Sequence, residues 1–210
     1  IELAEHIIHP LYYKHVLYLL RCFCFKCYKL LLTNEQLHLH NVYRYKGRNR
    51  INAILNKIKR SNICCQKNND SICGVQKLDI KMNMTTNVFY MIDNDDNKTP
   101  VSVNEIYTIF NNISDDDVRL LDIDPEMSHP RNLIIKVLPV LPPCDRPFIK
   151  ADGKICDDDL TLQYIEIIKI NNQLINQDKN NTERSNELES SILNRERLTS
   201  NLMFRILTMF

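Results

Sequence analysis

"RCFCFKC", Arg21 to Cys27, holds three cysteines within six positions, with aromatic and basic residues in the gaps. A buried core has no need of that spacing. The chain has eight cysteines, and six of them (Cys22, Cys24, Cys27, Cys64, Cys65 and Cys73) lie between residues 22 and 73. In a reducing compartment such clustering favours a metal over disulfides. Structural zinc takes four thiolate or imidazole ligands in a tetrahedron, and Cys24-x-x-Cys27 supplies two sulfurs at the right separation. The second pair is Cys73 with either Cys64 or Cys65, across a long loop. Cys22 and the spare member of Cys64/Cys65 then pack as small apolar residues. Cys144 and Cys156 are isolated and read as structural or incidental. A thioredoxin-like redox pair is disfavoured, because a helix rather than a strand precedes "CFKC".

Outward from this cluster, His9 to Leu20 reads as a helix running into it. Arg50 to Arg60 reads as a second, with Ile51, Ile54, Leu55 and Ile58 at helical spacing. Gly74 to Met84 and Asn87 to Asp93 alternate and predict strands of a small sheet, followed by a loop, "DNDDNKTP" (93–100). Ser102 and Glu105 make a capping box before an apolar stripe of Ile106, Ile109, Phe110 and Ile113. Leu133 to Val140 predicts a buried strand ended by prolines, and "LPPCDRP" an extended segment. A long helix starts at Asp157 or Asp158, with Leu160, Tyr164, Ile167, Ile168 and Leu174 on one face, and "NQDKNN" (176–181) breaks it. A last helix runs from about Glu183, with Leu188, Ile192, Leu202 and Ile206 on one side. The fold class is α+β, mainly helical, with a small antiparallel sheet.

The 210 residues suffice for one large domain or two small ones, and the formal net charge is only +1, so bulk charge identifies no partner. The positive charge is nevertheless gathered locally. No acidic residue occurs between Glu35 and Asp70, an interval that holds Arg44, Lys46, Arg48, Arg50, Lys57, Lys59, Arg60 and Lys67. Such an excursion attracts phosphate backbones by counterion release, and without a base-reading motif the contact is indifferent to sequence. The bland alternative is a solvated helix face. Asp115–Asp117 and Asp157–Asp159 look like magnesium ligands, but both stand at helix starts, where carboxylates cap free N–H groups. No Ser/His/Asp or Cys/His arrangement and no glycine-rich phosphate loop occurs. No signal peptide or membrane-length apolar stretch is visible, which predicts a soluble intracellular protein.

Five stretches in order carry a family resemblance. "IELA" (Ile1–Ala4) with His9 is similar to the segment after the first zinc motif in the largest subunit of multisubunit DNA-dependent RNA polymerases, of eukaryotic or large-DNA-virus type. "CFCFKCYKLL" resembles that family's Cys-x-Cys-x-x-Cys-x-Lys-Leu-Leu, and "EIYTIFNNISDDD" its helix ending in Ile-Ser-Asp. "HPRNLIIKVLPVLPPCDRP" resembles its Arg-Pro-Glu-Trp-Met-Ile…Leu-Pro-Val-Pro-Pro…Arg-Pro, and "DDLTLQYIEIIKINNQL" its Asp-Asp-Leu-Thr…Lys-Ile-Asn-Asn-Gln-Leu. His6 and Leu141 stand where the family has Pro, and Asn132 where it has Trp. The resemblance runs from residue 1 to about 174 and implies zinc ligands Cys24, Cys27, Cys64 and Cys73, with Cys22 not a ligand.

It further implies that residues 1–210 belong to the N-terminal clamp, with a zinc-binding subregion at 22–75 that carries the basic insertion and a helical portion at 101–210. The family's magnesium loop is not in this chain, so a parent subunit would be the nucleotidyltransferase and this piece would be inactive alone. DNA, the RNA–DNA hybrid and the second-largest subunit are the implied partners, in the nucleus or in a viral factory or virion. A free-standing zinc-dependent nucleic-acid-binding module and a metal-free helical interaction protein are the rival readings.

Overall fold

The computed structural model describes residues 1–58, 63–64, 67–68, 71–83, 88–93, 96–151, 153–181 and 188–209. In chain order the elements are β1 (Glu2–Ile8), α1 (Tyr13–Leu20), α2 (Asn34–Leu39), α3 (Gly47–Ile58), β2 (Lys67–Asn68) and β3 (Ser71–Ile72). Then come β4 (Asp79–Met82), β5 (Phe89–Ile92), β6 (Lys98–Val101), α4 (Val103–Asn111), α5 (Asp115–Leu120) and α6 (Pro125–Ser128). The last are β7 (Ile134–Val137), β8 (Ile149–Ala151), β9 (Lys154–Cys156), α7 (Asp159–Asn181) and α8 (Leu188–Leu207). The class is α+β. Two compact units emerge: Tyr12–Ile134, and Ile1–Leu11 with Ile135–Phe210. The stretch 101–210, read from sequence as one helical portion, is shared between them.

The unit Tyr12–Ile134 carries Cys24, Cys27, Cys64 and Cys73. Val16, Leu19 and Leu20 of α1 and Ile51, Ile54 and Ile58 of α3 are buried, as helical spacing requires. α3 begins three residues earlier than Arg50; Lys59 and Arg60 lie outside the described residues. β4, β5 and β6 form an antiparallel sheet in that order, with Ile80 opposite Met91 and Tyr90 opposite Pro100. β6 overlaps the predicted loop 93–100. It includes Pro100, and as β6 is the sheet's edge a missing N–H there breaks no ladder. The α4 capping box forms as predicted: Glu105 N–H donates to Ser102 Oγ at 3.1 Å, and Ser102 N–H to Glu105 Oε2 at 2.9 Å. Ile106, Ile109, Phe110 and Ile113 are all buried. Ser114 caps α5, whose first turn is Asp115–Asp117.

In the other unit β1 pairs with β7. Ile1 and Leu138 exchange both main-chain bonds, at 2.7 and 2.8 Å, as an antiparallel pair does. Asn171 of α7 is buried and holds β1: its Oδ1 accepts from Ala4 N–H at 2.7 Å, and its Nδ2 donates to Glu2 O at 2.9 Å. Tyr164, Ile167 and Leu174 pack with Leu198, Leu202 and Ile206 of α8 and with Leu3, Ile7 and Leu138.

Three expectations need correction here. β7 is short, and Val137 and Val140 are 61% and 43% exposed, so Leu133–Val140 is not a continuously buried strand. Ile168 is 42% exposed and lies off the buried face. "NQDKNN" continues α7 to Asn181, because Asn and Asp each weaken a helix by only about 0.7 kcal/mol. Asp158 does start the helix, accepting from Leu160 and Thr161 N–H at 3.2 and 3.1 Å. Among the described residues no helix is long and apolar enough to cross a membrane.

Candidate metal centre and basic surface

The Sγ atoms of Cys24, Cys27, Cys64 and Cys73 all lie within 4.8 Å of one another. Cys24 is 3.9 Å from Cys73, and Cys27 is 3.7 Å from Cys64. Four sulfurs about 2.3 Å from a tetrahedral zinc would stand about 3.8 Å apart, so the two distances match edges of that tetrahedron. The donor set therefore fits a divalent ion of zinc type. Cys65 lies outside the described residues; Cys22 is fully buried, and Cys144 and Cys156 are exposed.

Two turns of the same design build the site. In the first, Cys24 N–H donates to Lys29 O and Tyr28 N–H to Cys24 O, both at 2.9 Å, and Phe23 bridges Leu30. In the second, Cys64 N–H donates to Val75 O at 2.9 Å and Gly74 N–H to Cys64 O at 3.1 Å, and Ile63 bridges Gln76. Each turn closes through a left-handed residue right after its second cysteine: Tyr28 at φ 57° and Gly74 at φ 62°. Cys64 and Cys73 are not a Cys-x-x-Cys pair, yet they do the same work. The β2–β3 hairpin, with Lys67 opposite Ile72, sits between them and returns the chain to its starting point. A hairpin can be spliced into a turn because its two ends stand side by side.

Each turn also aims an N–H at its second sulfur, from Lys29 to Cys27 and from Val75 to Cys73. Such bonds hold a ligating sulfur in place and favour its thiolate. Burial pushes the Cys27 thiol up, against the Lys29 N–H. At Cys73 burial acts in the same direction, but the Val75 N–H and the neighbouring sulfurs outweigh it, and the thiol lies below its ordinary range.

The basic residues divide by environment. Arg44, Lys46 and Arg48 are exposed and Lys57 is half-buried. The Arg48 guanidinium lies 5.8 Å from the Tyr18 ring centre. Arg50 is different: its side chain is 11% exposed, it pairs with Asp122 at 3.4 Å, and it donates to Tyr45 O at 2.9 Å. Asp122 also accepts from Gly47 N–H at 2.7 Å. The absence of acidic neighbours in sequence thus did not survive folding, since Asp122 arrives from a remote part of the chain.

The sequence matches the family model described as RNA polymerase Rpb1, domain 1, over residues 1–196. The chain belongs to the Rpb1 domain 1 family. It is 35% identical over 192 residues to a probable DNA-directed RNA polymerase II subunit RPB1 homolog of Invertebrate iridescent virus 6, covering 83% of this chain and 18% of the relative. It is 33% identical over 187 residues to DNA-directed RNA polymerase II subunit RPB1 of Euplotoides octocarinatus, covering 83% and 39%. A third relative is DNA-directed RNA polymerase subunit Rpo1N of Sulfolobus acidocaldarius, 30% identical over 182 residues, with 83% and 20% covered. The chain thus spans well under half the length of these relatives.

Within this Rpb1 domain 1 chain, the resemblance read from "CFCFKCYKLL", "ISDDD" and "DDLT" falls on three definite structures: the first cysteine turn, the capped start of α5 and the capped start of α7. What sequence reasoning missed is the remote partners of two carboxylates: Asp117, read only as a helix-start residue, also accepts from the Leu30 N–H, and Asp122 pairs with Arg50 and accepts from Gly47 N–H. Neither contact has a signal in sequence, because each partner comes from a remote part of the chain.

Proposed function

We propose that the chain is a zinc-stabilised element of the clamp of a DNA-directed RNA polymerase largest subunit and grips nucleic acid through phosphate contacts. The carrying observation is the set of four thiols on two matching turns in a chain of the Rpb1 domain 1 family. Cys24, Cys27, Cys64 and Cys73 would hold Zn²⁺ as thiolates. Bound there, the ion cross-links two turns that this chain's own hydrogen bonds have already shaped, and it tethers residues 28 to 63 at both ends.

That tethered excursion presents Arg44, Lys46, Arg48 and Lys57, and Lys59 and Arg60 belong to it in sequence. Phosphate contacts give affinity and register without base readout, which suits a part that must hold DNA or an RNA–DNA hybrid of any sequence. Arg50 belongs to this surface in sequence, but its pairing with Asp122 and its bonds to Tyr45 O and Leu120 O hold it against the fold. Nucleotidyl transfer, with its magnesium ions, is assigned to the rest of such a subunit, and the second-largest subunit is the expected protein partner. The setting is that of transcription, in a nucleus or a viral factory.

The test is metal content together with a duplex titration across several salt concentrations. One zinc per chain is expected, with binding that falls steeply with salt and is alike for unrelated sequences. Neutralising Arg44, Lys46 and Arg48 together should flatten the log–log salt slope by up to about 0.9 per lost phosphate contact. An unchanged slope would make these residues only a solvated face.

A further inference from the structure

α5 and the residue just past its C-cap touch the first cysteine turn and the basic helix through carboxylates. Asp117, the last residue of its acidic first turn, accepts from Ser114 Oγ at 2.9 Å and from the main-chain N–H of Leu30, beside the Lys29 ammonium. Leu30 is the residue after Lys29, whose N–H points at Cys27 Sγ and whose carbonyl receives Cys24 N–H. Asp117 therefore grips the closing strand of the first cysteine turn at the peptide next to the one that orients a ligand. Five positions on, Asp122 takes Gly47 N–H at the start of α3 and pairs with Arg50 in its first turns. The Leu120 carbonyl receives a further bond from Arg50, at 3.4 Å. Asp122 itself has φ 64°, a left-handed conformation, so its position is set by the end of α5 rather than by a relaxed loop.

We propose that α5 is a brace between the metal centre and the basic helix, in which Asp117 is a positioning residue for the Cys24/Cys27 turn and Asp122 fixes the start of α3. This rests on the metal reading above. Its consequence is coupling: metal loss frees the first turn, the turn no longer holds Asp117, and α3 loses its fixed neighbour. Groups that hydrogen-bond a ligand itself typically contribute about tenfold to 100-fold in metal affinity, and Asp117 acts one peptide further out, so its share falls at the lower end.

The test uses the 210-residue chain with Zn²⁺ under chelator competition and with Co²⁺, whose thiolate absorption reports ligand geometry. Asp117→Ala should bind Zn²⁺ about tenfold more weakly and alter the Co²⁺ spectrum. Asp117→Asn keeps an acceptor for Leu30 N–H and should recover most of the affinity. Asp116→Ala removes an exposed carboxylate from the same helix turn and should leave both readouts unchanged. Asp122→Ala should also weaken Zn²⁺ binding, because coupling between two sites is reciprocal, and its α3 amides should exchange faster than those of metal-loaded wild type. In metal-loaded wild type the Leu30 amide should exchange slowly, a measurement that needs no variant to fold. Zn²⁺ affinity unchanged in Asp117→Ala, an unprotected Leu30 amide, or α3 protection unchanged in Asp122→Ala would each overturn the brace. Failure of the wild-type chain to take up either ion would overturn the metal reading, and the brace with it.

Discussion

Cys22 and Cys24 stand two positions apart and have opposite roles. Cys22 is fully buried, and burial pushes its thiol up to about 12 despite the nearby Lys77 ammonium, so it stays a neutral, apolar-packing group. Cys24 turns into the cluster. Cys22→Ala should therefore keep bound zinc at a modest loss of stability, whereas Cys73→Ser should release it; metal analysis after dialysis distinguishes them. His129 offers a second residue-level test. It is 1% exposed, its Nδ1 accepts from Arg131 N–H at 3.2 Å, and burial followed by the Arg131 charge holds its pKa below the ordinary imidazole value. The unfolded chain takes up that proton near pH 6.5 and the folded chain only lower, so His129 destabilises the fold as pH falls below about 6.5. Urea midpoints of metal-loaded protein should drop more for wild type than for His129→Gln between about pH 7.5 and about 5.5. Thiolate protonation is common to both proteins and cancels in the comparison.

At the scale of elements, the two cysteine turns carry the sharpest expectation. Gly74 closes the second turn at φ 62°, where a Cβ costs about 1–2 kcal/mol. Gly74→Ala should lower the thermal midpoint and weaken zinc by about tenfold, since 1.4 kcal/mol is a factor of ten; calorimetry and chelator competition measure the two. Tyr28 already occupies the matching position of the first turn, so the conformation is reachable at that cost. Elements with a local cause were legible in sequence: the Ser102 capping box, the aspartate-started helices and the apolar stripe of α3. β6 and the run through 176–181 were not: proline is compatible with a strand at a sheet edge, and an Asn-rich segment weakens a helix only slightly.

At the scale of the whole molecule, the division into two units predicts where metal removal is felt. The four clustered thiols, the basic helix and α5 lie within Tyr12–Ile134, whereas α7 and α8 pack with each other and with β1. Stripping zinc from the intact chain should raise amide exchange across α1, α3 and α5 while α7 and α8 around Tyr164, Ile167, Leu202 and Ile206 keep theirs. Exchange mapped by mass spectrometry with and without chelator measures this, and equal loosening of both units would contradict it.

The sequence by itself determined the family resemblance, the helices with capped starts and the first cysteine pair, because each depends on residues close together in the chain. It left Cys64 and Cys65 as alternatives on spacing, and only the resemblance chose between them. Tertiary structure decided that a hairpin can stand inside a cysteine turn and that Arg50 is spoken for. It also decided that Asp117 reaches the first cysteine turn and Asp122 the start of α3. The physical reason is common to all three: a hydrogen bond or ion pair between remote residues leaves no periodicity in sequence, and only the fold brings its partners within reach.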